Sequence, residues 1–313
     1  MTAVVTGADG FIGRTLVRQL LAIGEPVVGI DRAAQPPLPG LTVLTADLCD
    51  RDERVAAALA GADAVFHLAG CPGVRDPRPA IDALRHRDNV LAATAVLAAI
   101  PAGTPLVVTS SSSVYGGARF GRASRERERL RPRGGYARSK VAVERLCQHR
   151  IAAGGRTVIA RPFTVAGEGQ RPDMALARWI AAARAGRPLR ILGSPTRTRD
   201  VTDVRQVVRA LIALAGSSAQ GPVNVGTGSG HSLARMVAAV ADALQVEVRT
   251  RVAPAGPAEV SDTRADTTRL CRLIGWVPET DLDRLVARQV AAGSIADPGS
   301  TGADTDPVLI GVA

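Results

Sequence analysis

Lysine is almost missing from this sequence. Of the 39 lysine and arginine residues in 313, only Lys140 is a lysine. Aromatic residues are nearly as scarce, at 3% of the chain, and Tyr115 and Tyr136 are the only tyrosines. The net charge of +10 invites a nucleic-acid reading, because cationic surfaces neutralise phosphates. A single-strand binder also needs aromatic rings on which bases stack. Those rings are lacking and the arginines are spread along the chain, so no nucleic-acid partner is expected; a small anionic substrate suits the charge as well. Cysteines number four, Cys49, Cys71, Cys147 and Cys271, too far apart for a CxxC pair or a small disulfide framework. Reduced thiols are expected. His67, His86, His149 and His231 do not cluster with them, so no metal site is expected. No apolar run approaches the ~18 residues that span a bilayer, and the opening MTAVVTGADG has no basic segment before an apolar one. No membrane association and a cytoplasmic location are therefore expected.

What is present is an aliphatic core and a rhythm. Hydrophobic residues make up 46% of the chain, and with few rings among them the core must be Ala, Val, Leu and Ile. Short apolar runs, AVVT at 3–6, PVVGID at 26–31, LTVLTAD at 41–47, ADAVFHLAG at 62–70 and PLVVTSSSS at 105–113, alternate with helical patterns near 11–23, 51–60 and 79–99. A further helix is expected from the Tyr136 region to about 153, followed by the strand RTVIARP at 156–162. Such alternation predicts an α/β fold, a doubly wound parallel sheet of Rossmann type. We assign residues 1–165 to that dinucleotide-binding domain, with later segments returning to it. Residues 166–290, with helices near 174–185, 203–215 and 231–245, form a smaller, interleaved C-terminal substrate lobe, and 291–313 a Gly/Asp/Pro/Ser/Thr-rich tail.

Gly7, Gly10 and Gly13 lie between the first strand and the first helix. At that junction the glycines permit a tight turn, close approach of the backbone to a pyrophosphate and close packing of helix on sheet. Phe11 and Ile12 open the helix and join this candidate set. Asp31 ends the second strand, where a carboxylate accepts hydrogen bonds from an adenosine ribose and repels a 2′-phosphate. NAD is the expected cofactor, although the neighbouring Arg32 is the residue type that would hold a 2′-phosphate. Asp47 and Leu48, after the third strand, and Ala69, at the end of the fourth, complete the cofactor-binding candidates.

Tyr136 and Lys140 stand four residues apart, on one face of a helix. A phenol titrates near 10, too high for a base at neutral pH; a nearby ammonium favours its phenolate. A planar guanidinium does not fill that compact bridging role. A chemical need for an amine explains why one lysine survives where arginine is otherwise universal.

Joined to TSSSSVYGG at 109–117, these motifs resemble the extended short-chain dehydrogenase/reductases, the nucleotide-sugar epimerases and dehydratases, over about residues 2–290. The resemblance implies a catalytic triad of Ser111, Tyr136 and Lys140, with NAD taking a hydride from sugar carbon 4. Family dehydratases carry Asp-Glu after the catalytic hydroxyl; here Ser112 and Ser113 follow, which also argues against the decarboxylases and leaves 4-epimerisation through a transient 4-keto sugar. RPFTVAGEGQRPDMA at 161–175 is similar to the UDP-glucuronate 4-epimerases, and by that likeness Thr164 and Arg171, helped by Arg75, would hold a substrate carboxylate, with Ser112 beside them. Arg199 would contact the substrate diphosphate. Gly256 stands where a second diphosphate arginine is usual in that family, which implies either weaker diphosphate binding or its supply by another arginine such as Arg264. Gly134-Gly135 replaces the family's Ser-Pro, and Gln206 an aspartate. The basic stretch 116–133 reads as a solvated flap beside the site. UDP-glucuronic acid is the favoured substrate, with UDP-glucose/galactose, net redox or decarboxylation, and a non-enzymatic NAD-binding regulator as alternatives. A homodimer is implied by the resemblance alone.

Overall fold

The first strand shows how this sequence divides its side chains between two layers. In the computed structural model, which describes residues 2–295 apart from Val74, Pro77 and Phe120, strand β1 (Ala3–Thr6) is wholly buried. Ala3 and Val5 enter one apolar core and Val4 the other, as a period of two requires when both faces are covered. The same split recurs along the sheet. β2 (Val27–Asp31), β3 (Leu41–Thr45), β4 (Ala64–His67), β5 (Leu106–Thr109) and β6 (Thr157–Pro162) alternate with α1 (Phe11–Ala22), α2 (Glu53–Ala60), α3 (Ile81–Arg85), α4 (Ala92–Ala99) and α5 (Gly134–Ala152).

Farther along come β7 (Thr164–Ala166), α6 (Ala175–Arg184), β8 (Leu189–Leu192), β9 (Thr198–Arg199), β10 (Val201–Asp203), α7 (Val204–Ala215), β11 (Gly221–Val225), β12 (His231–Ser232), α8 (Leu233–Leu244), β13 (Thr250–Ala253), α9 (Thr268–Ile274) and α10 (Leu282–Ile295). The seven-stranded sheet runs β11-β6-β5-β4-β1-β2-β3 with every pairing parallel. Helices α1 and α7 cover one face, through Leu16, Leu20, Val207 and Leu211. On the other lie α2, α4 and α5, through Leu59, Val96 and Val143. This is the doubly wound Rossmann architecture. Its order reverses at β1 and β4, so their carboxyl ends open a crevice where such sheets bind ligands.

A separate apolar core joins α6, α8 and α10 to β8, through Trp179, Ile180, Leu189, Met236 and Leu285. Helix α10 continues to Ile295, past position 291 where the sequence reading began the tail. Leu282, Leu285, Val286 and Val290 pack its earlier turns on this core. Residues 296–313, the rest of that expected tail, lie outside the described residues. The single helix expected over 79–99 is instead α3 and α4 joined by a wide π-helical turn, His86–Leu91. That turn buries Asp88 and Asn89 toward the crevice, the use to which such bulges are commonly put.

Candidate active site

A cleft of about 1670 Å³ opens over the carboxyl ends of the central strands. It is lined by Gly7, Gly10, Phe11, Ile12, Gly13, Asp31, Arg32, Asp47, Leu48 and Ala69 at one end, Ser111, Ser112, Tyr136 and Lys140 in the middle, and Arg75, Thr164, Arg171 and Arg199 toward the second lobe. These candidate residues thus face one space; Arg264 does not.

At the first end the glycines act as their chemistry requires. Gly7 has a left-handed φ of 70°, and a side chain there would strike the Ala69 backbone; a Cβ on Gly13 would collide with the Gly7 carbonyl. Gly10 caps α1 with no side-chain hydrogen bond, and no acidic residue sits in the first turn. The helix amides and the positive end of its dipole are left for an anion. Asp31 is fixed by the amides of Asp9 (3.0 Å) and Ala33 (3.1 Å). Arg32 donates to both oxygens of Asp88 (3.3 and 3.1 Å) and lies 3.8 Å from Asp47. Its fork is engaged by Asp88, a carboxylate it shares with Arg87 (2.7 Å), so a 2′-phosphate would have to displace that carboxylate. An uncapped helix start, a close-packed glycine turn and a fixed ribose-side carboxylate fit NAD.

In the middle, Lys140 is buried and its Nζ donates to the Thr109 carbonyl at 2.9 Å, 6.0 Å from the centre of the Tyr136 ring. Burial brings its pKa down to about 8. Burial also raises the Tyr136 phenol, while the neighbouring Ser111 hydroxyl and the charges of Arg171 and Arg85 pull it back. Ser111 Oγ accepts from the Ser113 amide at 3.2 Å and so caps the 3₁₀ turn Ser112–Tyr115. Two further hydroxyls here, Thr109 Oγ1 and Ser113 Oγ, are buried with no hydrogen-bond partner. Buried hydroxyls of that kind are rare without a ligand or water to satisfy them.

Toward the second lobe the arginines are already occupied. Arg171 forks onto Asp173 (2.8 and 2.6 Å). Arg75 forks onto Glu259, and Arg199 lies 3.7 Å from the same carboxylate while donating to the carbonyls of Thr198, Val260 and Ser261. Arg264, suggested as the substitute diphosphate ligand, is turned away onto the Gly121 carbonyl and is not among the cleft-lining residues. The stretch 116–133 is likewise no loose flap: Ala118 bonds Asp262, Ser124 bonds Arg264, and Arg131 bonds Val114 through the backbone. Its backbone groups find fixed partners in the second lobe and, at Val114, in the first, which a charge count cannot foresee.

The sequence model of the NAD dependent epimerase/dehydratase family matches residues 3–226. The chain belongs to that family. Over 311 aligned residues it is 31% identical to an uncharacterized UDP-glucose epimerase, YtcB, of Bacillus subtilis, covering 93% of this chain and 97% of the relative. Among solved structures it is similar to MoeE5 in complex with UDP-glucuronic acid and NAD (36% identity, TM-score 0.86, 95% of this chain and 100% of the other). It is similar too to the UDP-glucuronic acid 4-epimerase of Bacillus cereus in complex with UDP-glucuronic acid and NAD (26% identity, TM-score 0.88, 95% and 100%). NAD is the cofactor of this enzyme family.

Three features of this epimerase/dehydratase site escape sequence reading. Asn89, presented by the π turn, donates to Ser139 Oγ at 2.7 Å and accepts from the Cys71 amide at 2.7 Å, tying the crevice wall to α5. Arg85, also buried, occupies the space beside Gly135, where a side chain would strike Asp82 and Arg85; this accounts for one family departure and sets a cation near Tyr136. The third is a buried network. Ser110 Oγ donates to Glu144 (2.5 Å), Arg161 to Glu144 (2.6 and 2.8 Å) and to the Tyr115 hydroxyl (2.8 Å), and Tyr115 to Asn224 (2.6 Å). One signal was available: an arginine inside the fully buried strand TVIARP must find a carboxylate.

Proposed function

We propose that the chain is an NAD-dependent 4-epimerase of a UDP-sugar, with UDP-glucuronic acid its substrate. The observation that carries this reading is the chemistry at the reacting end: hydroxyls at Ser111, Ser112 and Ser113, a buried tyrosine–lysine pair, and a guanidinium, Arg171, close enough for its charge to lower the Tyr136 pKa. Asp173, the carboxylate beside Arg171, is held below the usual carboxylate range chiefly by its hydrogen bond to that arginine. It is a counter-ion and not a proton donor, so the site lacks the acid that eliminating water demands.

Tyr136, beside Ser111, removes the proton of the sugar 4-hydroxyl, with Lys140 keeping positive charge near the ring. NAD held by the glycine turn and Asp31 would supply the acceptor of the carbon-4 hydride and, once the sugar has turned, its donor. Ser111 then holds the 4-keto oxygen while the sugar turns its other face, and Tyr136 gives the proton back. Arg171 and Thr164 hold the C6 carboxylate, the guanidinium in a forked contact. That grip resists the alignment from which a β-keto acid loses carbon dioxide.

A neutral sugar, UDP-glucose or UDP-galactose, is the second reading, favoured by the Arg171–Asp173 pair, which already satisfies the guanidinium. A proton NMR time course with NAD and UDP-glucuronic acid tests both. New anomeric signals of the galacturonate epimer, without a decarboxylated pentose, are expected. Turnover of UDP-glucose with an unreactive acid sugar would establish the second reading, and a pentose product would overturn both.

A further inference from the structure

At the cofactor end of the cleft two guanidiniums and two carboxylates close into a ring. Arg32, after β2, sets its fork on both oxygens of Asp88 in the π turn His86–Leu91 (3.3 and 3.1 Å). Arg87, from the same turn, donates to Asp88 Oδ1 (2.7 Å) and to Asp47 Oδ2 (2.6 Å), and Asp47, after β3, lies 3.8 Å from Arg32. The four charges cancel. Exposure shows which members fix the others: the Asp88 and Asp47 side chains are 10% and 18% exposed, those of Arg32 and Arg87 56% and 40%. A half-exposed arginine has many rotamers open to it, so the buried carboxylate decides where Arg32 points. Asp31 stands outside the ring, pinned by the amides of Asp9 and Ala33. Asp31, Arg32, Asp47 and Asp88 all line the cleft.

A carboxylate at the end of the second strand repels a 2′-phosphate, but an arginine beside it can neutralise that phosphate, so Asp31-Arg32 does not by itself separate NAD from NADP. What separates them is whether Arg32 is free. We propose that Asp88 is a specificity-determining residue for the cofactor: by holding the Arg32 fork it keeps the guanidinium from a 2′-phosphate and leaves Asp31 to select the unphosphorylated ribose. This rests on NAD as the cofactor and is independent of which sugar reacts. A phosphate needs the same paired N–H directions that Asp88 occupies. Its entry would strand a mostly buried carboxylate on Arg87 alone, beside a second anion. Asp47 does not share the role, since it is matched by Arg87 and approaches Arg32 only to 3.8 Å. The π turn supplies the geometry. It buries residues 88 and 89 one after the other, so Asp88 serves the cofactor end while Asn89 braces Cys71 and Ser139.

The test is displacement of radiolabelled NAD+ from the full chain by NADP+ in equilibrium dialysis, which reads the affinity ratio of the two cofactors with no sugar present. Asp88→Asn, close to the native shape but uncharged, is expected to shift the ratio toward NADP+ by about five- to tenfold, the scale of a partly exposed charged contact. Arg32→Ala in the unmodified background is expected to move it by no more than about twofold, because the fork is already engaged. Combining Arg32→Ala with Asp88→Asn is expected to remove most of the gain. That coupling separates release of Arg32 from mere loss of a negative charge, whose effect would persist without the arginine. Should Asp88→Asn fold poorly, Asp88→Ser is expected to shift the ratio the same way. An unchanged ratio in a folded Asp88 variant, a gain that survives in full without Arg32, or a tenfold loss of NADP+ binding in Arg32→Ala alone would overturn the proposal. A chain that binds neither cofactor overturns it together with the NAD reading. If the ratios move as expected but no UDP-sugar reacts, Asp88 keeps its role and the reaction reading fails.

Discussion

The two ends of the cleft solve the problem of binding an anion in opposite ways. At the cofactor end the helix start and the amine are left open, although Arg32 is held by Asp88: α1 begins without a cap or a first-turn acid, and Lys140 donates to the Thr109 carbonyl. At the substrate end the cations are closed by the protein's own anions, Arg171 by Asp173 and Arg75 by Glu259. A ligand entering the first end gains contacts without breaking any. At the second end it exchanges one anion for another, so the net gain is smaller. Such a difference suits a cofactor that stays and a substrate that must leave after each turnover.

The strongest way to sharpen the contrast is to disable the chemistry without touching either end. Tyr136→Phe is expected to reduce kcat by about 10²- to 10⁴-fold, the range of a lost general base, while NAD remains bound at the unmodified level by absorbance of the purified protein. Lys140→Arg belongs to the same class: most activity lost, with an unchanged far-ultraviolet dichroism spectrum. Near wild-type turnover in Lys140→Arg would remove the argument for an obligatory amine.

Next in size is the buried pair beneath the middle of the cleft. Arg161 and Glu144 side chains are 3% and 6% exposed. Arg161→Met leaves Glu144 buried and unpaired, which costs about 3–5 kcal/mol by chemical denaturation. Glu144→Gln combined with Arg161→Met should recover much of that loss. Recovered stability without recovered kcat would show that the network, through Ser110, holds the Ser111 turn in place; recovery of both would make it a packing element alone.

Lys140 also has a signature in stability. Its pKa of about 8 in the fold lies below the ordinary 10.5, so between those values the unfolded chain binds more protons than the folded one. Stability contributed at this position therefore rises with pH across that window. Relative to Lys140→Met, the native chain should gain about 3 kcal/mol between pH 7 and 10.5 by the linkage relation. A pH-independent difference between the two would mean that the ammonium is solvated.

How much was legible beforehand follows the same division. The parallel sheet and the glycine turn were readable because period-two apolar runs and a strand–glycine–helix junction each allow few conformations. Tyr136, Lys140 and Asp31 were readable as candidates because helical spacing and the end of a strand place them on one face or edge, although their partners Thr109 and Asp9 come from other elements. The distant partners of Arg75, Arg199 and Arg264 were not, because Glu259, Val260 and Gly121 lie 184, 61 and 143 positions away and no local pattern carries that information. Asn89 was hidden by the extra residue of the π turn, which rotates the helix face that a regular period would assign.

The smallest expected effect discriminates best between the two substrate readings. Asp173→Asn removes the counter-ion of Arg171 but keeps its size. The pair is partly exposed, 33% and 57%, so its worth is no more than about 1 kcal/mol. If an acid sugar is the substrate, its carboxylate no longer competes, and KM for UDP-glucuronic acid should fall by roughly two- to fivefold with kcat nearly constant. For a neutral sugar the prediction reverses in sign: the uncompensated guanidinium repels nothing and attracts nothing, it merely lacks a partner, and KM for UDP-glucose should stay level or rise. Measuring KM for both sugars in this one variant therefore reads the charge of the natural substrate from the protein's side of the contact.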